Sequence, residues 1–141
     1  FYDMDEVYLD DGLSVNPEGD SWVDPGLGGF LLTRPEWSGM AAENMGKHKV
    51  PTLRNVAKAP DSDFTKAYMH NGVFKSLKEV VHFYNTRDRA DLETWPPPEV
   101  PENVNTDELG DLGLTDEMED AIVAFMGTLS DGYFDRPGKI K

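Results

Sequence analysis

The strongest periodic pattern in the chain lies at residues 77–85, where apolar side chains recur at helical spacing. Positions i, i+3, i+4 and i+7 of this segment are apolar or aromatic: Leu77, Val80, Val81 and Tyr84. This spacing places the four side chains on one face of an α-helix. Ser76 and Glu79 have the spacing of a capping box, in which each side chain bonds the other residue's backbone amide. We therefore predict a capped helix with Tyr84 pointing inward and His82 facing solvent.

A second helical pattern follows Thr115, which is a preferred N-cap residue. Asp116 and Glu117 then lie in the first turn, where acidic side chains interact favourably with the helix dipole. The expected buried stripe of this helix consists of Met118, Ala121, Ile122, Phe125, Met126 and Leu129. Gly132 is its expected end, because glycine readily adopts the left-handed conformation that follows a helix.

The remaining segments are rich in residues that break regular structure. Residues 1–29 are acidic and interrupted by Gly and Pro, so they should run as surface loop, with 1–23 as an N-terminal loop segment outside the domain. Residues 30–46 should hold one or two short helices, with Pro35 in a first turn. The chain should be extended before Pro51, and Thr52 is a reasonable cap for a short helical turn. Residues 87–110 form a proline-broken connector, and no segment is a convincing strand. The expected class for residues 24–141 is all-α, with short helices and long loops.

The composition indicates a domain that does not fill a core by itself. Hydrophobic residues make up 38% of the chain and the mean hydropathy is -0.55, with ten prolines and thirteen glycines. We therefore expect much of the chain to pack against further protein or a cofactor. The net charge of -14 disfavours binding to nucleic acid or to an anionic membrane surface. It favours basic partners, of which small basic electron-transfer proteins are one class.

Several kinds of site and segment are missing from the sequence. No apolar run approaches the roughly 20 residues of a membrane span. The chain opens on FYDMD, with neither a start methionine nor a signal-peptide pattern, and we interpret it as cut from a longer protein or given a new start. It has no cysteine, which removes disulfides, thiolate catalysis and zinc–cysteine sites. No serine–histidine–acid order, phosphate-binding loop or His-Glu-x-x-His motif occurs, so no catalytic residue is assigned.

Three segments carry a resemblance to a known family: 50–55 (VPTLRN), 68–72 (YMHNG) and 77–84 (LKEVVHFY). A fourth, 113–133, is similar to the closing helix of the same domain. The family is that of the bacterial di-haem cytochrome c peroxidases and MauG, and the chain resembles its C-terminal haem domain. This resemblance implies a cytochrome c-like fold and a c-type haem. Because the chain has no cysteine, it lacks the Cys-x-x-Cys-His motif that attaches such a haem. The haem would therefore be attached through residues outside this chain.

The resemblance implies a specific role for Tyr84. In the family, the second axial ligand of the C-terminal haem iron lies fourteen positions after the histidine of a Tyr/Phe-x-His-x-Gly motif. Fourteen positions after His70 is Tyr84. Ordinary family peroxidases resemble one another in having methionine there, whereas MauG-type enzymes have tyrosine. A phenolate oxygen stabilises ferric and higher-valent iron, whereas a thioether stabilises ferrous iron and raises the potential. The alternative is a core tyrosine that completes the apolar helix face with its hydroxyl hydrogen-bonded.

Four further residues lie near the haem according to the same resemblance: Met69, His70, Arg54 and Asn55. Met69 is either a haem ligand or a packed side chain, and packing is favoured because methionine fills irregular gaps. His70 should lie close to the haem without ligating the iron, unless it is simply a hydrogen-bonded turn residue. Arg54 and Asn55 should line the haem edge, where the planar arginine fork suits a propionate. The alternative for Arg54 is a surface ion pair with an acid.

The resemblance also implies half of a calcium site. In the family, the residues five and three positions before the motif histidine donate backbone carbonyls to a calcium ion between two haem domains. Here these residues are Thr65 and Ala67. Carbonyl oxygens suit calcium, a hard cation. The usual Thr-x-Pro pattern reads Thr-Lys-Ala in this chain, which loosens the loop, and the other ligands would lie in an upstream domain.

These features predict part of a periplasmic di-haem c-type peroxidase or MauG-like oxidoreductase. The chain would supply the distal ligand Tyr84 and the haem-edge segment of the electron-transfer haem, and would be inactive alone because it has nothing to activate peroxide. Its partner would be a haem-bearing upstream domain or a separate haem-bearing chain. A second hypothesis is a haem-free interaction subunit that docks on a cytochrome-bearing partner. Tracing covalent haem to one polypeptide or another separates the two.

Overall fold

The computed structural model describes residues 22–59, 61, 63–64, 66–92 and 95–131. These residues form three α-helices, namely α1 (Gly26–Leu32), α2 (Leu77–Thr86) and α3 (Asp116–Thr128). Three short 3₁₀ helices lie between them, at Ser38–Met40, Ala42–Asn44 and Pro101–Asn103. The described part contains no strand, only an isolated antiparallel bridge between Tyr68 and Phe74. The prediction of an all-α chain with long loops is therefore confirmed for this part.

The chain divides into two compact units. The first combines the described residues up to Lys49 with Pro96–Asn105, and the second combines Val50–Trp95 with the described residues from Thr106 onward. The middle of the predicted connector 87–110 thus belongs to the first unit and its two ends to the second. The predicted loop segment 1–23 lies outside the described residues except for positions 22 and 23. Gly132, the expected end of α3, also lies outside them. Within the described part, no helix is long and apolar enough to cross a membrane.

In the first unit, α1 begins at Gly26, where the sequence predicts loop. Gly28 is buried against the chain at residues 41–45, and a Cβ at this position would lie 2.6 Å from the Met45 Cα. The Leu27 amide donates to the Lys47 carbonyl at 2.7 Å. The prediction of loop over 26–29 was wrong because these glycines allow helix and chain to pack closely. The short helices expected over 30–46 are confirmed as the two 3₁₀ helices that follow Pro35.

In the second unit, α2 begins at the predicted capping box. The Ser76 hydroxyl oxygen accepts from the Glu79 amide at 3.2 Å, and Glu79 Oε2 accepts from the Ser76 amide at 2.7 Å. The Ser76 hydroxyl also donates to this carboxylate at 2.8 Å, and the Lys75 amide donates to it at 2.9 Å. These hydrogen bonds, that of the Ser76 side chain first, lower the pKa of Glu79. The local sequence thus fixes where the helix starts.

The predicted buried stripe of α3 is only partly buried. Met126 is buried and Leu129 is partly buried, but Phe125 is 60% exposed, Met118 53% and Ile122 37%. Ala121 is exposed as well. The helix instead directs Glu119, Val123 and Met126 toward the interior, at positions i, i+4 and i+7. The prediction of a stripe through Met118, Ala121, Ile122 and Phe125 was wrong because the inward face of the helix includes a buried acid that the apolar pattern does not show.

The apolar core is small for the amount of apolar surface. Five hydrophobic residues of the described part are buried, and Leu77, Val81 and Met126 form the cluster of the second unit. Fifteen large hydrophobic side chains of the described part are exposed. In the second unit these are Val50, Leu53, Phe64, Val73, Leu92, Leu112, Met118, Ile122 and Phe125. Packing against further protein or a cofactor stays a prediction, and these exposed side chains are the surface it would cover.

The N-terminal caps of α2 and α3 differ in their hydrogen bonds, so removing each cap should lower the stability of the protein by a different amount. Replacing Ser76 by Ala should lower the free energy of unfolding by about 1 kcal/mol, because it removes the capping box of α2. Thr115 caps α3 through one long bond, from the Met118 amide to its hydroxyl at 3.4 Å. Thr115→Ala should therefore cost less, and urea unfolding of both variants measures the difference. A larger loss for Thr115→Ala would contradict this ranking.

Candidate functional site

Tyr84 lies near the C-terminal end of α2 and is partly buried. Its ring packs against Phe83 with centroids 5.5 Å apart, and its carbonyl accepts from the Gly110 amide at 2.7 Å. Its hydroxyl makes no hydrogen bond within the described part of the chain. The helix therefore holds the backbone of Tyr84 in place while the phenol oxygen keeps its bonding capacity.

An aromatic cluster of Phe74, Phe83 and Trp95 supports this end of the helix. The three rings lie 5.2 to 5.8 Å apart between centroids. Two of the three pairs, both involving Trp95, meet nearly edge to face, a favourable arrangement for aromatic quadrupoles. The Trp95 indole N–H donates to the buried Thr86 hydroxyl at 3.1 Å. The cluster thus ties the chain before α2 and the chain after it to the turn that carries Tyr84.

Met69 and His70 lie in a tight loop closed by the Tyr68–Phe74 bridge. The Tyr68 amide donates to the Phe74 carbonyl at 2.8 Å. Met69 is partly buried and has a φ of 67°, which is a strained left-handed conformation for a residue of its size. His70 is exposed. The loop therefore holds Met69 in a costly conformation, a feature that clusters at functional sites.

Arg54 and Asn55 occupy a turn that follows Pro51, and their side chains behave differently. Asn55 joins the end of α3, because its amide donates to the Leu129 carbonyl at 2.7 Å and its Nδ2 to Asp131 at 3.0 Å. Arg54 is exposed, and its guanidinium makes neither an ion pair nor a hydrogen bond within the described residues. The short helical turn predicted from Thr52 is present only as hydrogen-bonded turns over 54–57.

No structural observation bears on calcium binding by the two residues that the resemblance implies. Thr65 lies outside the described residues. Ala67 is exposed, just before the Tyr68–Phe74 bridge. Within the described residues, no hydrogen bond or ring contact joins Tyr84 to Arg54, Asn55, Met69 or His70. The side chains expected at one haem are thus placed on separate turns of the second unit.

Several polar contacts of the second unit converge on Glu119 of α3, which is 2% exposed. Its Oε1 accepts from Asn85 Nδ2 at 2.7 Å and lies 2.9 Å from His82 Nδ1. Because an ionised carboxylate only accepts, His82 Nδ1 carries the proton of this bond. Lys78 Nζ lies 3.2 Å from Oε2, but this buried oxygen has no well-formed hydrogen bond. Three side chains of α2 therefore contact one carboxylate of α3.

Burial alone would raise the pKa of Glu119. The hydrogen bonds from Asn85 and His82, together with the nearby Lys78 ammonium, outweigh burial and lower its pKa from the ordinary value of 4.5. The carboxylate is therefore charged in the folded protein. Lys78 is held in turn by Asp116 Oδ1 at 2.7 Å and Asp120 Oδ1 at 2.8 Å. A buried charge supported in this way is costly to disturb, because removing its partners leaves it unpaired.

The polar pairing between α2 and α3 is absent from the sequence predictions. His82 was expected to face solvent, but its half-exposed side chain contacts Glu119. The available signal was the spacing of Lys78, His82 and Asn85, which at i, i+4 and i+7 form a polar stripe on α2. Glu119 likewise shares its helical register with Val123 and Met126. A polar stripe on one helix, together with a single acid among the inward-facing apolar positions of the other, indicates a buried polar contact between the two helices.

Comparison with known proteins identifies similar sequences. Methylamine utilization protein MauG of Paracoccus denitrificans (strain Pd 1222) is 39% identical over 91% of this chain and 34% of that protein. Cytochrome-c peroxidase IdrP1 of Denitromonas iodatirespirans is 39% identical over 62% of the chain and 19% of that protein. Cytochrome-c peroxidase IdrP2 of Pseudomonas sp. (strain SCT) is 31% identical over 74% and 21%. The chain thus spans about a third of MauG and about a fifth of these peroxidases.

Two broader comparisons give no match. No protein-family model matches the chain. No solved structure is similar to it at a significant level.

The charged state of Glu119 predicts how stability depends on pH. Because its folded pKa is lowered, its contribution is complete above the ordinary value of 4.5 and is lost as the pH falls through the folded pKa. Glu119→Gln removes this contribution. Urea unfolding of both proteins between about pH 3 and pH 7 should give a stability difference that shrinks below about pH 4.5.

The control for this comparison is Asp120→Asn, which removes an exposed carboxylate that binds the same Lys78. Equal pH dependence in the two variants would assign the effect to net charge. A stability difference for Glu119→Gln that stays constant across the pH range would show that Glu119 is not the titrating group.

Proposed function

We propose that this chain, which is of the MauG and di-haem cytochrome c peroxidase type, is the C-terminal part of a periplasmic oxidoreductase of that kind. Within it, the chain supplies Tyr84 as the distal axial ligand of the electron-transfer haem, and Arg54 at the haem edge. The observation that carries this proposal is the register that places Tyr84 fourteen positions after His70 on a firmly capped helix.

The bonding state of Tyr84 supports a ligand role. A buried tyrosine hydroxyl normally finds a hydrogen-bond partner in the protein, whereas a solvent-accessible one is available to water or to a ligand. The Tyr84 hydroxyl makes no hydrogen bond within the described residues, although Tyr68 in the same unit donates to the Val56 carbonyl at 3.3 Å. A phenol oxygen held on a rigid helix with its lone pairs available suits an iron ligand.

The charge and apolar surface of the second unit also fit a haem. In a chain of net charge -14, Arg54 has no acidic partner among the described residues, whereas Arg87 and Arg89 each pair with aspartates. An unpaired guanidinium suits a propionate carboxylate. The exposed apolar side chains of the unit, such as Leu53 and Phe125, need a covering group or further protein. The charge of Arg54 and the exposed apolar side chains therefore support the proposed haem.

The roles of the residues follow from this assignment. A bound c-type haem supplies one-electron redox chemistry at iron. With haem bound, Tyr84 would coordinate the iron through its phenol oxygen and would favour the oxidised states over the ferrous state. Arg54 would hold an acidic edge group in place, and the aromatic cluster with the α2–α3 contacts would keep the ligand helix rigid. The chain holds no group for activating peroxide, so the catalytic centre would lie elsewhere in the complete protein.

Other features of the complete protein stay predictions. The interdomain calcium ion would take backbone carbonyls of Thr65 and Ala67, and the upstream haem-bearing segment would provide the other ligands. The strongly acidic chain favours a small basic electron-transfer protein as redox partner. A haem-free interaction subunit remains the alternative, and it requires that covalent haem be found only on another polypeptide.

Ligand exchange at Tyr84 gives the first test of this function. In the haem-bearing protein, Tyr84→Met should raise the reduction potential of the C-terminal haem, because a thioether replaces an oxygen donor. The expected change is on the order of 0.1 V, a fraction of the roughly 0.8 V that axial ligands span. Spectroelectrochemistry measures it, with Tyr68→Phe as the control tyrosine. An unchanged potential and absorption spectrum in Tyr84→Met would place Tyr84 in the core.

Removing the charge of Arg54 gives a second test, in which the reduction potential should change in the opposite direction. Arg54→Gln should lower the reduction potential of the same haem, because the loss of a positive charge at its edge favours the more positive ferric form. Lys58→Gln is the matched control, since the Lys58 charge is already paired with Asp131 at 3.1 Å. Equal changes in the two variants would mean that Arg54 is not at the haem edge.

A further inference from the structure

Three side chains of α2 contact a single carboxylate of α3. Lys78, His82 and Asn85 lie at i, i+4 and i+7, so they form one stripe along the helix. All three approach Glu119, at 3.2, 2.9 and 2.7 Å respectively. Tyr84 immediately precedes Asn85, so its side chain projects about 100° around the helix from this stripe. A rotation of α2 would therefore redirect Tyr84 by the same angle.

Within the described residues, no hydrogen bond fixes the direction of the Tyr84 side chain. Its ring contacts Phe83 on the same helix, and its hydroxyl makes no hydrogen bond within the described residues. Among the described residues, the only hydrogen bond from outside the helix reaches its backbone, from the Gly110 amide at 2.7 Å. The direction of the phenol therefore depends on how the helix is held.

Asn85 is the strongest of these attachments. Its Nδ2 donates to the Leu114 carbonyl at 3.0 Å and to Glu119, and its Oδ1 accepts from the Leu114 amide at 2.9 Å. Its backbone carbonyl accepts from the Leu112 amide at 3.2 Å. The segment before α3 and α3 itself are thus attached to the residue next to Tyr84.

We propose that Glu119 is a positioning residue that fixes the rotation of α2 and so the direction in which Tyr84 projects. The consequence for iron ligation rests on the proposed function, whereas the geometric statement does not. Buried ion pairs often contribute little stability compared with apolar side chains, and their best-attested use is to specify register. Glu119 faces the apolar core cluster from α3, where an apolar residue would pack well but would leave the rotation of α2 less defined.

The experiment observes Tyr84 in the 141-residue chain labelled with 3-fluorotyrosine. The chain has five tyrosines, so Tyr84→Phe assigns the fluorine resonance of Tyr84 and Tyr68→Phe that of Tyr68. In Glu119→Leu, the Tyr84 resonance should shift or split by more than its linewidth while that of Tyr68 stays in place. Asp120→Leu is the matched control, because Asp120 binds Lys78 but neither His82 nor Asn85. It should leave both resonances unchanged.

Each outcome decides the proposal. An unchanged Tyr84 resonance in a folded Glu119→Leu chain would overturn it, and so would an equal shift in Asp120→Leu. If Glu119→Leu loses its helical circular dichroism, Glu119→Gln replaces it. Gln keeps the shape but offers one acceptor oxygen and a donor group that faces other donors, so a smaller Tyr84 shift is expected. No shift in a folded Glu119→Gln would then also overturn the proposal.

The haem-bearing protein separates this proposal from the proposed function. Glu119→Leu should produce a second haem species or a changed potential there, although Glu119 itself is not a ligand. If the fluorine shift occurs but Tyr84→Met leaves the haem unchanged, Glu119 positions a tyrosine that is not a ligand. If Tyr84→Met changes the haem but the fluorine resonance does not respond to Glu119→Leu, the ligand assignment stands and the positioning role is wrong.

Discussion

The second unit depends on one buried carboxylate. Glu119 is nearly inaccessible to solvent, yet it stays charged because donors from α2 reach it. A charge at such a position is tolerated only when its hydrogen bonds are supplied by the protein. This requirement constrains both helices. It sets the rotation of α3 that turns Glu119 inward and the rotation of α2 that brings Lys78, His82 and Asn85 to it. The small apolar cluster of Leu77, Val81 and Met126 belongs to the same two helices and packs in the orientation that the Glu119 contact sets.

The same constraint explains the apolar surface that the described chain leaves open. Turning Glu119 inward carries Met118 and Phe125 outward, so part of the apolar arc of α3 has no partner among the described residues. A chain that spans about a third of MauG need not cover all of its apolar surface by itself. In the proposed function, the haem and the rest of the protein cover what this part leaves exposed. In that proposal, the chain would contribute the ligand helix, and the remainder would contribute the cofactor and the centre where peroxide would react.

Local signals in the sequence were sufficient for the parts of the fold that depend on neighbouring residues. The capping box of Ser76 and Glu79 predicted the start of α2, and Thr115 predicted the start of α3. Features that depend on distant residues were not predictable in this way. From sequence alone, the glycines of α1 predict a loop. The helix is explained only when the chain that packs against Gly28 is known. The burial of Glu119 contradicts its polarity, and only its three partners on α2 explain it. The spacing that singles out Tyr84 comes from the family resemblance, and its role as a ligand stays a prediction.

The most direct test of the account is resonance Raman spectroscopy of the haem-bearing protein with ring-deuterated tyrosine. A tyrosinate bound to ferric iron gives phenolate vibrations that are enhanced in its charge-transfer band. The account predicts that these vibrations are present, that they shift on deuteration, and that they vanish in Tyr84→Phe while persisting in Tyr68→Phe. If phenolate vibrations are absent, or if they persist in Tyr84→Phe, Tyr84 is not the iron ligand and the central claim is wrong.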